Sequence, residues 1–207
     1  MNKKKIILTF VITLVVVLVV AGGIAAFILT RKNDVITLDA KEIEKNTLVV
    51  NDEGTIQSAM VESFDKDYYD VKDLEEFVKK DLEEYNETND TGVTLEQIEK
   101  NGDNVVLIFG YKDIDEYAVY NEVKACVFDA KEANKDERVP GQLTKYGEDG
   151  VVPKDRVYEN EKLITVVVDA DVELIVNGKI KYYSGCTVES ENKVVAKAGE
   201  RAVVVFK

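Results

Sequence analysis

The chain has 207 residues, with 27 basic and 40 acidic side chains, and it contains neither histidine nor tryptophan. The absence of histidine excludes Ser-His and Cys-His catalytic pairs and imidazole ligands for zinc. A net charge of −13 repels phosphate backbones, so the composition predicts no nucleic-acid partner.

Residues 6–29 form a run of 24 residues without a charged side chain. As a helix the run is about 36 Å long, enough to cross a hydrocarbon core of about 30 Å. Three lysines precede it and two basic residues follow, so the positive-inside rule predicts a cytoplasmic stub at 1–5 and an extracellular part at 31–207. The sequence therefore predicts a single-pass cell-membrane protein. Cleavage of a signal peptide at Gly23-Ile24-Ala25 is the alternative.

Two features of this apolar run bear on how the protein is anchored and on whether the helix contacts another membrane helix. Val20-Ala21-Gly22-Gly23 resembles a bacterial lipobox, but a glycine stands where the lipid-bearing cysteine is required. We therefore predict that the helix itself, in contact with membrane lipid, is the anchor. Gly22 and Ala26 are four residues apart, a spacing that lets two membrane helices approach closely. They are the predicted contact for a membrane protein partner, although membrane helices are rich in small residues for other reasons too.

After the anchor, residues 30–45 are predicted to be a tether and residues 46–207 an extracytoplasmic α+β domain. Without its three N-terminal lysines the chain keeps 24 basic and 40 acidic residues, a net charge of −16. Such a domain is expected to repel anionic lipid headgroups and anionic wall polymers, and to favour cationic partners or divalent cations. The alternative is that the charge only keeps the surface soluble.

The first half of the domain is predicted to contain strands, one main helix and a hairpin. The helix spans about 70–86, because Asp70 is a good N-cap and an apolar stripe at helical spacing follows it. Asn101-Gly102 between two β-rich runs is a strong hairpin signal. The predicted strands are 47–50, 55–61, 93–99, 104–111 and 122–128, and a short helix is predicted over 113–121.

The second half is predicted to be β-rich. Residues 129–160 are polar and longer than most connections, which indicates a functional loop or a boundary between two subdomains. The predicted strands of an antiparallel sheet are 162–168, 172–176, 179–183, 193–196 and 202–206. Cys126 and Cys186 are the only cysteines, and they form either a disulfide or two separate buried thiols.

No catalytic, cofactor-binding or metal-binding residue is predicted. Asp65, Asp67 and Glu76 match three positions of a calcium loop, but the position that requires glycine holds an aspartate. Asp90-Thr91-Gly92 has the tripeptide of aspartic proteases without the apolar strand before it, so we predict a turn. Ten tyrosines suit either a recognition surface or ordinary packing.

Three stretches of the domain together resemble a family. They are Glu62 to Asp70, Tyr111 to Asn121, and Val176 to Ser184. The chain resembles uncharacterised extracytoplasmic, often lipoprotein-type, proteins of low-GC Gram-positive bacteria. The resemblance implies an extracellular location and carries no activity.

The sequence therefore predicts a membrane-anchored cell-surface domain that binds a protein, peptide or glycan, or supports a membrane complex. The cytoplasmic stub is too short to carry an output domain. The alternative is a carboxylate-based hydrolase acting on cell-wall glycan, because two suitably spaced carboxylates are a tertiary property that sequence does not exclude.

Overall fold

A computed structural model describes residues 35–52 and 54–207. The predicted stub, transmembrane helix, helix contact at Gly22 and Ala26, and tether residues 30–34 lie outside the described residues. No helix within the described ranges is long and apolar enough to cross a membrane. The described chain is α+β, as the sequence predicts, and it has few helices and two sheets.

The secondary structure agrees closely with the predicted elements over most of the domain. The strands are β1 (Thr47–Val50), β2 (Ile56–Ser63), β3 (Thr94–Asn101), β4 (Asn104–Tyr111), β5 (Lys124–Asp129), β6 (Gln142–Lys145), β7 (Val151–Pro153), β8 (Ile164–Asp169), β9 (Val172–Val176), β10 (Ile180–Ser184), β11 (Thr187–Val188), β12 (Lys193–Ala196) and β13 (Ala202–Phe206). The helices are a short 3-10 turn (Ala40–Glu42), α1 (Val71–Asn89), α2 (Ile114–Tyr120), α3 (Ala130–Ala133) and α4 (Lys154–Val157).

The first sheet has seven strands in the order β11-β12-β9-β1-β2-β4-β3. It is mixed, because β1 and β9 run parallel with Thr47 opposite Glu173. The prediction of an antiparallel sheet is therefore wrong for this pair. The two strands are far apart in the chain, and no local turn signal announces their pairing.

The second sheet has six strands in the order β5-β8-β13-β10-β6-β7, all antiparallel to their neighbours. The stretch 129–160, predicted to be a loop or a subdomain boundary, contributes α3, β6, β7 and α4. Its buried side chains Leu143, Val157 and Tyr158 pack on the outer face of this sheet. The segment looked like a loop because only isolated apolar residues in it face the core.

The main core lies between the two sheets. Leu48, Leu174 and Val194 of the first sheet share a cluster with Val166 and Val204 of the second. Helices α1 and α2 join the same cluster through Leu82, Ile114 and Tyr117. The two sheets and these helices therefore bury one continuous core.

Residues 36–43, part of the predicted tether, pack across the outer face of the first sheet. Ile36 and Leu38 are 1% and 3% exposed. The Asn51 side chain accepts a hydrogen bond from the Ile36 N–H at 2.8 Å and donates one to its carbonyl at 3.2 Å. Farther along, the Asn101 side chain donates to the Ala40 carbonyl at 2.8 Å. Residues 36–43, which the sequence assigns to the tether, are thus part of the packed domain.

Helix α1 begins where the sequence predicts and ends three residues later than predicted. The Asp70 carboxylate accepts hydrogen bonds from the N–H groups of Lys72 and Asp73 at 2.7 and 3.1 Å. Asp90 ends the helix in a left-handed conformation, with φ of 54°. Asp90-Thr91-Gly92 is therefore a helix-ending turn, which confirms that prediction.

The two cysteines are separate thiols. Cys126 lies opposite Val167, Val167 opposite Val203, and Val203 opposite Ser184. Three strand spacings, about 14 Å, therefore separate Cys126 from the strand that precedes Cys186. A disulfide needs Cα atoms within about 7 Å.

Candidate ligand-binding groove

A groove of about 1070 Å³ opens beside the second sheet. Its walls are the turn after β6, helix α4 with the loop that follows it, the first half of β10, and the last residue of the described chain. The lining side chains are Lys145, Tyr146, Arg156, Val157, Glu159, Asn160, Leu163, Ile180, Lys181, Tyr182 and Lys207. None of these residues was predicted as a site residue.

A β-bulge in β10 shapes one wall of the groove. Ile180 pairs with Phe206 and Tyr182 with Val205, so Lys181 is an extra residue between the two pairs. Bulges redirect side chains and occur often beside binding sites. Here the bulge lets two consecutive residues, Lys181 and Tyr182, line the same groove.

Hydrogen bonds join the opposite wall to this bulge. The Tyr146 N–H donates to the Lys181 carbonyl at 2.9 Å, directly after the pairing of Lys145 with Tyr182. Buried Val157 and Leu163 form the apolar base. Backbone pairing thus holds these two walls of the groove together.

Four cationic side chains and one acidic side chain line the groove, in a chain whose net charge is −13. Arg156 pairs with Glu159 at 2.7 Å, and Lys145 pairs with Glu148, a residue outside the lining, at 2.7 Å. The hydrogen bond from Lys145 to Glu148 raises the pKa of Lys145. Lys181 takes part in no ion pair within the described residues.

The exposed ion pairs at the rim are easily rearranged. The side chains of Arg156 and Glu159 are 69% and 64% exposed. Exposed pairs of this kind contribute about 0–1 kcal/mol, because water screens them and holding the side chains costs entropy. An anion that entered the groove would therefore meet Lys181 directly and recruit the neighbouring cations at little cost.

Six of the ten tyrosines form two groups, a packing set and a groove set. Tyr111 packs edge-on against Tyr117, with ring centroids 5.4 Å apart, and Tyr85 packs edge-on against Tyr120 at 5.0 Å. The Tyr111 hydroxyl lies 2.9 Å from the Ser58 hydroxyl, and burial raises the pKa of Tyr111 to about 12. These four rings belong to the core.

Tyr146 and Tyr182 form the groove set. Both line the groove, and Tyr146 is 37% exposed at the rim. Tyrosine combines an apolar ring with a hydrogen-bonding tip, so it suits stacking on a ligand at a wet site.

Two carboxylates that are partly or fully removed from solvent, Glu62 and Glu116, lie outside the groove. Burial raises the pKa of Glu62 to about 7, and no charged neighbour contributes to the shift. Glu116 is 8% exposed and accepts hydrogen bonds from the N–H groups of Gly92 and Lys112 at 2.6 and 2.7 Å. Glu116 thus ties the end of α1 to the start of α2, a structural role.

The first residue of the partial calcium loop, Asp65, has a basic partner. Asp65 forms an ion pair with Lys66 at 2.8 Å, and the hydrogen bond from Lys66 lowers the pKa of Asp65. In the described part of the chain, no three acidic or cysteine side chains converge as metal ligands would.

No family model, curated protein or solved structure matches this chain. The groove therefore has to be interpreted from its own chemistry.

Proposed function

We propose that this chain is a membrane-anchored cell-surface domain that binds a ligand carrying an anionic group in the groove defined by Lys145, Lys181 and Tyr182. The supporting observation is the placement of Lys181. It lies on a β-bulge, has no ion-pair partner among the described residues, and lines the groove together with Tyr146 and Tyr182.

The proposed anionic ligand differs from the cationic partner that the net charge of −13 favours. A net negative charge favours cationic partners at long range, but a ligand inside the groove lies next to the cationic side chains that line it. Charges are screened beyond about 8 Å at physiological salt, so the distant carboxylates of the domain weaken anion binding only slightly. The carboxylates that compete with an anion are Glu148 and Glu159, each paired at 2.7 Å with a groove cation. Acidic glycans, acidic peptides and phosphate-bearing molecules all present the required group.

The hydrolase alternative has no comparable support. A glycoside hydrolase needs two carboxylates about 5–10 Å apart at its substrate. Glu159 is the acidic side chain that lines the groove, and it is paired with Arg156. Glu62 has the raised pKa of a general acid, but it does not line the groove.

The test is a nuclear magnetic resonance titration of the ¹⁵N-labelled full chain in phosphatidylcholine nanodiscs. The probes are glycerol phosphate, trigalacturonate and the neutral sugar maltotriose. We expect at least one anion, and not maltotriose, to shift the amides of Lys181 and Tyr182 saturably. The proposal is refuted when neither anion shifts these amides.

Two charge-reversal variants make the titration specific. Lys181→Glu removes one attraction and adds one repulsion, each worth about 1 kcal/mol at 4 Å in water, so affinity should fall roughly 30-fold. Lys72→Glu makes the same change of net charge at an exposed site on α1. Equal losses in the two variants would show that binding reflects total charge and not the groove.

A further inference from the structure

The groove lies at the end of the fold where the described chain begins. Ile36 is hydrogen bonded to Asn51. In the next residue, Asp52, the carboxylate accepts a hydrogen bond from the Asn177 side chain at 3.1 Å. Asn177 leads through the β9–β10 turn to Lys179. A continuous set of contacts therefore runs from Ile36 to Lys179, which directly precedes Ile180 of the groove lining.

The strand directions support this placement. β10 leaves that turn at Ile180 and pairs there with Phe206, the end of β13. β8 begins at the same end, because Ile164 also lies opposite Phe206. The loop before β8, which carries Asn160 and Leu163 of the groove lining, is therefore at this end too.

The predicted anchor leaves little chain between the membrane and this end. The run 6–29 and the packed Ile36 are separated by only residues 30–35. Six extended residues span at most about 20 Å. The opposite end of the first sheet, where β2 ends at Ser63 and Tyr68 follows, is about 25 Å farther along the strands.

From this geometry we infer that the groove faces the membrane and receives the phosphate of an anionic phospholipid headgroup. The inference rests on the proposed function and names the source of its anionic ligand. Lys145, Lys181 and Arg156 supply the charge that such a headgroup requires. Tyr146 and Val151, 37% and 58% exposed on the β6–β7 hairpin, supply the amphipathic and apolar side chains typical of a membrane interface.

The absence of tryptophan from the sequence gives a clean measurement of depth. Tyr146→Trp places a single fluorophore at the groove rim, the rim reporter. Tyr68→Trp places one at the opposite end, the distal reporter, where Tyr68 is 75% exposed. Each full-length variant is reconstituted in nanodiscs that contain nitroxide-labelled lipid, which quenches tryptophan at short range. Neither substitution removes a side chain from the core, so both variants should fold.

We expect the nitroxide lipid to quench the rim reporter at least threefold more strongly than the distal reporter. Replacing a third of the phosphatidylcholine by phosphatidylglycerol should increase the quenching of the rim reporter, and adding Lys181→Glu should abolish that increase. Adding Lys72→Glu instead should leave it unchanged.

Each outcome has a distinct meaning. Equal quenching of the two reporters overturns the inferred orientation. Strong quenching of the rim reporter without dependence on phosphatidylglycerol or Lys181 overturns the headgroup as ligand. If soluble glycerol phosphate still binds the groove in either case, the proposed function stands and the anion is a free phosphate.

Discussion

Replacing Ile36 by alanine tests whether residues 36–43 belong to the folded domain. The Ile36 side chain is 1% exposed and packs with Val49, Ile108 and Ile175 on the outer face of the first sheet. The change removes three carbons, each worth about 0.8 kcal/mol of transfer free energy, or about 2.5 kcal/mol together. A residual cavity adds up to about 1 kcal/mol.

We therefore expect the free energy of unfolding to fall by about 2.5–3.5 kcal/mol. For a domain of this size the Tm should fall by about 5–14 °C. The assay is urea unfolding, followed by circular dichroism, of a fragment of residues 34–207, which contains all three hydrophobic clusters. Val119→Ala, at a side chain 62% exposed, is the control and should change stability by less than about 0.5 kcal/mol.

A loss below about 0.5 kcal/mol for Ile36→Ala would refute the reasoning. It would mean that residues 36–43 are a free spacer in solution. The groove would then be held much less closely to the membrane than we infer, because the chain between the predicted anchor and the domain would be more than twice as long.

Three further predictions concern ionisation, backbone strain and the thiols. Burial raises the pKa of Glu62 to about 7 in the folded state, so ionisation of this carboxyl lowers the free energy of unfolding as pH rises from about 4.5 through 7. In urea unfolding, Glu62→Gln should be as stable as wild type near pH 4 and about 1–2 kcal/mol more stable at pH 8, after allowance for the exposed part of the side chain. A stability difference independent of pH would contradict this. Gly102 and Gly185 have φ of 62° and 66°, but a Cβ added at Gly102 would meet nothing, whereas one added at Gly185 would lie 2.2 Å from the Arg201 carbonyl oxygen. Thermal unfolding should therefore show that Gly102→Ala lowers the free energy of unfolding by about 1 kcal/mol and that Gly185→Ala lowers it clearly more. Mass spectrometry after denaturation without reductant should find two iodoacetamide adducts, on Cys126 and Cys186, whereas an unmodified chain would indicate a disulfide.

Local signals in the sequence were sufficient to predict most of the helices and strands. The N-cap at Asp70 and the apolar stripe behind it specify α1, and Asn101-Gly102 specifies the β3–β4 hairpin through the positive φ of its glycine. Long-range features had no such signal. The parallel pairing of β1 with β9 depends on packing between distant segments, and β6 contributes Leu143 as its one buried residue.

The groove was not predictable for the same reason. Its cations come from Lys145, Arg156, Lys181 and Lys207, each of which looks like an ordinary surface residue in sequence. The β-bulge that brings Lys181 beside Tyr182 is set by the pairing of β10 with β13. Only the tertiary structure shows that these four side chains line one groove.

Hydrogen–deuterium exchange on the full chain tests the central claim most directly. Nanodiscs of phosphatidylcholine are compared with nanodiscs that also contain phosphatidylglycerol, and the groove is followed in peptides covering 142–151 and 178–186. We predict that the anionic lipid slows exchange in both peptides, that Lys181→Glu removes the protection, and that peptides around Tyr68 do not change. Unchanged exchange in both groove peptides would contradict the claim that this groove binds an anionic group at the membrane.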